Sequence, residues 1–292
     1  MAGSVRYTVR HRLSRLLGDL VVLSTATSDS ATTVTDTVEL VNYADDRLIG
    51  AYLNIYSATT AKGLERRITD NVQSTGVVTM PTGTDPTGTV LYEIHRSWRV
   101  SEYNAAINQA ITDVRGDGRA FTTLISDTSI TMTDGGTSTD YYIDLPSGFR
   151  SIHRGLIQVE GPTASIYDEQ PLRYGVDWTF EKKTAETSSA APVWQIVINR
   201  SAYVPIASRQ LRLQGAGSQE EMDDDDTDIL YDHLEPFVIQ RAAYYLLQSR
   251  TRSGTPQSQA NAKRAEQHWR ESESARTRFD YSPPPGSARV PY

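Results

Sequence analysis

The chain has 292 residues, of which 38% are hydrophobic and 22% charged, and it contains no cysteine. This length can bury a core without metals or cross-links, and the absence of cysteine excludes disulfides and thiolate metal sites. No apolar run approaches the roughly 20 residues that a membrane-spanning helix needs, so we expect no membrane partner.

The net charge of −7 is concentrated in one stretch of the chain. Residues 220–228 hold seven acids and no base, so the rest of the sequence is neutral. Residues 1–20 and 250–279 are basic. This asymmetry favours complementary contacts with neighbouring proteins over enveloping a nucleic acid, which needs a larger basic excess.

An amphipathic helix is predicted over residues 1–24, because Val9, Leu13, Leu16, Leu17 and Leu20 recur with helical spacing. A basic helix lying on a membrane surface is the alternative, and it would need a larger and more continuous apolar face.

The next region, residues 25–99, alternates between apolar and polar positions in short segments bounded by Gly, Asp, Asn or Pro. Residues 127–218 repeat this pattern. Short strands at regular spacing predict an antiparallel β insertion in each region, built as a small barrel or sandwich.

A central helix is predicted over residues 100–126 by the clearest apolar stripe in the chain. Ser101 is its expected N-cap and Gly116 marks its end. The stripe consists of Tyr103, Ile107, Ala110, Ile111 and Val114.

The C-terminal part begins with an acidic loop and a core helix, predicted over residues 219–252. Carboxylates at 226 and 228 are expected to precede the first turn of this helix, and Pro236 either kinks it or begins a new one. Residues 253–292 predict a polar helix and an extended tail. A mostly polar helix packs little against its own domain, so we expect a partner chain to hold it.

Together these elements predict an α+β fold with a helical core, made by the N-terminal, central and C-terminal helices, and two antiparallel β insertions.

Catalytic motifs are missing from the sequence. The five histidines are scattered without ligand or triad spacing, and no phosphate-binding loop or nucleophile elbow occurs. We therefore expect a protein that is not an enzyme and that uses no cofactor.

The acidic run offers hard oxygen ligands of the kind that Ca²⁺ or Mg²⁺ prefers, but it lacks the spacing and glycine of an EF-hand, so we expect no metal. An electrostatic role is the alternative: carboxylates that line a channel keep DNA from adhering, and carboxylates at an interface pair with a basic collar. The residues proposed for this acidic channel or interface are Glu220, Glu221, Asp223, Asp224, Asp225 and Asp226.

The order of these pieces resembles the head-to-tail connector proteins, also called adaptor or neck proteins, of tailed bacteriophages and related viruses. The resemblance begins with RRITDN at 66–71, GVVTM at 76–80 and YEIHRSW at 92–98, which runs into AAINQAI at 105–111. It continues with Tyr142, LP at 145–146 and SIHRGLIQVE at 151–160. It ends with LRLQG at 211–215, the acidic loop, and AAYYLLQSR at 242–250.

This resemblance implies a ring of identical copies, twelvefold in such adaptors, located in the virion neck between capsid and tail. Its implied partners are the portal protein and a tail, stopper or tail-terminator protein, with double-stranded DNA passing non-specifically through the ring. A C-terminal segment of such adaptors commonly reaches onto the portal. The corresponding candidate contacts here are Trp269, Arg276, Arg278, Phe279, Tyr281 and Tyr292.

Two other functions stay open on the sequence. A tail or baseplate component also needs β modules and oligomerisation. A carbohydrate- or protein-binding β module belongs to a different class, and a defined ligand would raise its melting temperature.

Overall fold

The structure is a computed structural model of the chain. It describes residues 3–116, 123–132, 140–145, 149–157, 172–183, 193–202, 210–217, 219–226, 229–231, 234–251, 255–278 and 288–289. The chain divides into two compact units: unit 1 is Met1–Gly116 with Glu221–Phe279, and unit 2 is Asp117–Glu220 with Asp280–Tyr292. Each unit therefore combines two separate stretches of sequence.

The α-helices of the described chain all belong to unit 1. They are α1 (Arg6–Leu17), α2 (Val100–Gly116), α3 (Glu235–Ser249) and α4 (Pro256–Arg278). A short 3₁₀ turn, Leu40–Asn42, lies between strands. None of these described helices is both long enough and apolar enough to cross a membrane.

The strands are short, and most have two to six residues. In chain order they are β1 (Gly3–Val5), β2 (Leu20–Thr25), β3 (Ser28–Asp29), β4 (Thr33–Thr35), β5 (Tyr52–Ser57), β6 (Leu64–Arg67), β7 (Asp70–Val72), β8 (Val77–Thr79), β9 (Leu91–His95), β10 (Thr123–Thr131), β11 (Asp140–Asp144), β12 (Phe149–Ile157), β13 (Trp178–Lys183), β14 (Val193–Asn199), β15 (Gln210–Gly217), β16 (Ile229–Tyr231) and β17 (Ala288–Arg289).

The predicted fold class, a helical core carrying two β insertions, is wrong. The described strands form four antiparallel sheets of three or four strands each and one two-stranded pair, and they hold more residues than the helices. Each β region also has an apolar core of its own. The fold is mixed and β-rich, because the strands bury their apolar side chains against other strands and do not depend on a helical core.

The first β region of unit 1 contains two four-stranded sheets, ordered β2-β9-β5-β6 and β3-β4-β8-β7. Val22, Leu53 and Ile94 from the first sheet share one core with Val34 and Val78 from the second. Successive side chains of a strand point to opposite faces. The residues that alternate with this core therefore lie on the other face of the first sheet, against the helices.

The apolar stripe predicted for α2 is confirmed, since the five residues named for that stripe are all buried. The expected N-cap is wrong, because the helix begins at Val100, one residue before Ser101. Instead, the side chain of Glu102 accepts a hydrogen bond of 2.7 Å from the backbone N–H of Arg99. That contact satisfies one of the free donors at the helix start.

Three predicted helix boundaries are also wrong. The N-terminal helix ends at Leu17, Gly18 turns the chain with φ of +71°, and β2 follows. Residues 123–126, assigned to the central helix, begin β10. Before α3 the chain forms β16, which pairs with β1, so Asp226 does not precede the first turn, and Asp228 lies outside the described residues. Pro236 lies in that first turn, as one of the two alternatives required.

Helix α4 packs along α3, so the prediction that it packs little against its own unit is wrong. The side chains it buries are small or polar: Ser258, Asn261, Ala265, His268, Ser272 and Ala275. Small side chains allow two helices to approach closely without a wide apolar stripe. The hydropathy pattern therefore concealed a buried face.

Unit 2 contains a four-stranded sheet, β10-β15-β12-β17, and a three-stranded sheet, β11-β14-β13, all antiparallel. Their shared core includes Ile152, Leu213, Ile143, Trp178 and Ile196. From the predicted extended tail, Ala288 and Arg289 pair with β12 at the edge of the larger sheet.

Two glycines of unit 1 allow a test of the backbone conformation. Gly63 and Gly76 both have positive φ, of +80° and +61°. A Cβ at Gly63 would meet no atom within 4 Å, whereas a Cβ at Gly76 would lie 2.3 Å from the carbonyl oxygen of Asp36. We expect Gly63→Ala to cost about 1–2 kcal/mol of stability from the left-handed conformation alone. Gly76→Ala should cost about 1–3 kcal/mol more from overpacking.

Urea unfolding of the full chain, followed by circular dichroism, measures both costs. Equal losses for the two variants would mean that the Asp36 carbonyl does not approach Gly76 as the structure has it.

Candidate functional site

A buried polar network of unit 1 is centred on the guanidinium of Arg10, which is fully buried on α1. Its five N–H donors are all used. Nε and Nη2 donate to Glu93 Oε1 at 3.0 and 2.7 Å. Nη1 and Nη2 donate to the two carboxylate oxygens of Asp225 at 2.9 and 3.0 Å. Nη1 also donates to the side-chain oxygen of Asn104 at 3.0 Å. Arg10 therefore links helix α1 to β9, to α2 and to the acidic loop.

Glu93 lies on β9 and faces the helices, because its neighbours Tyr92 and Ile94 face the apolar core. Its Oε1 also accepts a 2.6 Å hydrogen bond from Asn54 on the adjacent strand. Its Oε2 lies 2.7 Å from His11 Nε2 and 3.1 Å from His95 Nε2. The carboxylate is fully buried, with polar atoms of three elements around it.

Asp225 is the anchor of the acidic segment, which we define as residues 221–226 of unit 1. Besides Arg10, its carboxylate binds Arg6 Nε at 2.6 Å. The backbone N–H of Met222 donates to Asn108 Oδ1 at 2.9 Å, and Arg6 also donates to the Met222 carbonyl. A segment that carries four other acids is thus fixed to α1 and α2 by one buried carboxylate and by its own backbone.

The charges of this network shift each other's pKa. Burial lowers the pKa of Arg10, but Glu93 and Asp225 outweigh burial and raise it above its ordinary value. Burial raises the pKa of Glu93, yet Arg10, His11 and His95 outweigh that effect and hold the pKa well below its usual range. For Asp225 burial is likewise outweighed, by Arg10 and Arg6, and the pKa is lowered. All three groups are therefore held in their charged forms.

The other predicted acids point outward. Glu221, Asp223, Asp224 and Asp226 are exposed, as is Glu220 at the end of unit 2. Asp226 forms an ion pair with Lys62, whose Nζ lies 3.7 Å from Asp224. Five of the six acids named for the proposed channel or interface are therefore exposed, and Asp225 is instead an internal ligand of two arginines. Within the part of the chain that the structure describes, no cluster of three or more His, Asp or Glu residues is arranged to hold a metal.

The predicted portal-contact residues are described in part. Trp269 on α4 is 38% exposed. One face of its ring is covered by Arg241, whose guanidinium carbon lies 3.5 Å from the ring centre, and Tyr244 packs against it at 5.0 Å. Arg276 donates to Glu273 at 3.4 Å. Phe279, Tyr281, Tyr292 and the side chain of Arg278 lie outside what the structure describes.

Sequence reasoning missed Arg10, Glu93 and the role of Asp225. A signal was present, because strand YLNIYS and strand LYEIH both alternate apolar residues with polar ones, namely Asn54, Glu93 and His95. That alternation normally indicates a solvated face. A buried polar face was not expected, since the cation that neutralises Glu93 is Arg10, 83 positions away, and the second carboxylate bound to Arg10, Asp225, is 215 positions from it.

No protein-family model matches the chain, and no curated protein matches it.

Removing the charge of Arg10 tests the buried network. Arg10→Met keeps most of the side-chain volume but leaves Glu93 and Asp225 buried without their shared cation. Breaking such a buried pair costs about 3–5 kcal/mol. Arg15→Met is the matched control on α1, because Arg15 is exposed, and it should change stability by less than about 0.5 kcal/mol. Urea unfolding measures both variants, and similar losses would contradict the network.

The lowered pKa values predict how stability responds to acid. A carboxyl group whose pKa is lower in the folded state contributes stability that is fully present above its unfolded pKa, about 4 for Asp and Glu. That stability is lost as the pH falls below about 4 towards the folded pKa values of Glu93 and Asp225.

Unfolding free energies measured from pH 7 down to pH 3 should therefore fall steeply below about pH 4 in the wild-type chain. Asp225→Asn should be less stable at neutral pH and should show a shallower fall, because it takes up one proton fewer on unfolding. Parallel curves for the two proteins would show that Asp225 carries no such linkage.

Proposed function

We propose that this chain is a structural, non-enzymatic virion protein that forms a ring under a portal and joins the capsid to a tail or to a stopper protein. The motifs named above for head-to-tail connectors support this proposal. The observation that carries it is the acidic segment: one carboxylate, Asp225, is buried and fixes the segment, while its neighbours stay exposed.

A fixed negative surface is suited to a connector for a physical reason. Exposed carboxylates repel the phosphates of passing DNA over a distance of about 8–10 Å at physiological ionic strength. The same carboxylates attract basic groups of a neighbouring protein and fix its register. Anchoring through Arg6 and Arg10 removes the entropy cost of ordering the segment at an interface.

The proposed portal contact lies on α4 and the residues that follow it. The half-exposed ring of Trp269 is held in place by Arg241 and Tyr244. Rigid aromatic side chains of this kind dominate the energetics of many protein interfaces. We therefore keep Trp269 and Arg276 in the proposed contact, together with Arg278, Phe279, Tyr281 and Tyr292.

Copy number in purified particles tests this function. Particles from the source are separated into whole virions, DNA-filled heads without tails, and free tails, and each fraction is analysed by quantitative mass spectrometry. We expect as many copies of this chain as of the portal protein, in heads as well as in virions.

Two results would contradict the proposal in different ways. If the chain stayed with free tails and was missing from tail-less heads, it would be a tail or baseplate component. Its absence from every fraction would exclude a virion role and leave the ligand-binding β module, which a ligand-dependent rise in melting temperature would detect.

A further inference from the structure

A cationic pocket lies in unit 1 at the start of α4. It has a volume of about 500 Å³, and its wall combines the turn after α1, the loop after β9, and the residues around the first turns of α4. Arg96, Arg250 and Arg264 line it. Arg250 is fixed in place, because it donates to the Ser97 carbonyl at 2.5 Å and its guanidinium carbon lies 4.8 Å from the centre of the Trp98 ring.

The carboxylate in this wall does not neutralise the three arginines. It belongs to Asp19, which is buried and accepts hydrogen bonds from the backbone N–H of Ser97 at 2.8 Å and from the hydroxyl of Tyr103 at 2.9 Å. Arg96 and Arg264 are exposed. Among the described residues that line the pocket, positive charge is therefore in excess.

The pocket and the acidic segment lie at opposite ends of α1. The segment binds Arg6 and Arg10 in the first half of the helix, whereas the pocket is lined by Leu17 and Gly18 at its end. Leu17 lies eleven positions after Arg6 on the helix, which is about 16 Å along the axis. Because Asp225 and Met222 hold the segment in place, it does not reach the pocket of its own chain.

We propose that the pocket receives the acidic segment of a second copy of this chain. The charges are complementary, and both surfaces are already ordered within one copy. A contact between two different patches of identical chains is heterologous. Each added copy therefore presents its own pocket or segment to the next copy. If the rotation between neighbouring copies is suitable, the series of contacts closes into a ring. This inference rests on the proposed function, since it supplies an interface for the ring.

Charge reversal tests the proposal on the full chain. The pocket variant carries Arg96→Glu and Arg264→Glu, and the segment variant carries Glu221→Lys and Asp223→Lys. The control, Arg47→Glu with Lys263→Glu, changes the net charge as the pocket variant does, at exposed positions that do not line the pocket. Association is measured by sedimentation at low and high ionic strength, and circular dichroism checks that each variant folds.

We expect the wild-type chain and the control to associate at low ionic strength and to dissociate as salt is added. Each reversed variant alone should associate at least about tenfold more weakly, because like charges then meet. An equal mixture of the two variants should associate again, since the reversed pocket of one accepts the reversed segment of the other. A chain that carries both sets of changes should recover as well.

Several outcomes would overturn the inference. They are a wild-type chain that stays monomeric at low ionic strength, reversed variants that associate like the control, and a mixture that does not recover. If the pocket variant associated normally but lost retention on immobilised double-stranded DNA, the pocket would be a nucleic-acid site instead. None of these results changes the copy number in particles, so a failure of this interface is distinguishable from a failure of the proposed function.

Discussion

The buried guanidinium of Arg10 is the constraint on which unit 1 depends. It lies between two carboxylates, Glu93 and Asp225, and all its donors are used. Desolvating three charges is costly, and the attraction between them offsets that cost only when the geometry is good and the remaining hydrogen bonds are made. We expect this arrangement to favour one placement of α1 and the acidic segment against the first sheet more strictly than an apolar contact would.

The first sheet explains why the network is where it is. One of its faces joins the second sheet in an apolar core, and the other carries Asn54, Glu93 and His95 against the helices. Because hydrogen bonds there are directional, the helices are oriented by polar contacts, while the sheets are held together by non-directional apolar burial. Unit 1 thus combines a β core with a charged layer between sheet and helices.

This layer also separates the structural charges from the exposed ones. Arg10, Glu93 and Asp225 satisfy each other inside, whereas Asp223 and the arginines of the pocket at the start of α4 face solvent. A buried charge that is fully paired adds little to the electrostatic field outside the protein, and an exposed one acts over a Debye length. The proposed interface between copies relies on this division of charge within one chain.

The sequence by itself determined the elements that have a strong local period and a conventional apolar face. The stripe of α2 and the burial of Val9, Leu13 and Leu17 on α1 could be read from residues within a few turns of one another. A helix start at Pro236 was one of the two alternatives that the sequence left open. The exposed acids were also predictable, because a run of like charges is solvated unless counter-charges are provided.

Only the tertiary structure decided the fold class, the buried face of α4 and the role of Asp225. Short strands carry a weak local signal, and their apolar side chains found partners in other strands, so the expected helical core did not form. Arg10, Glu93 and Asp225 each look like surface residues in their own segments. Their burial depends on contacts between residues 83 and 215 positions apart, and no local period encodes such contacts.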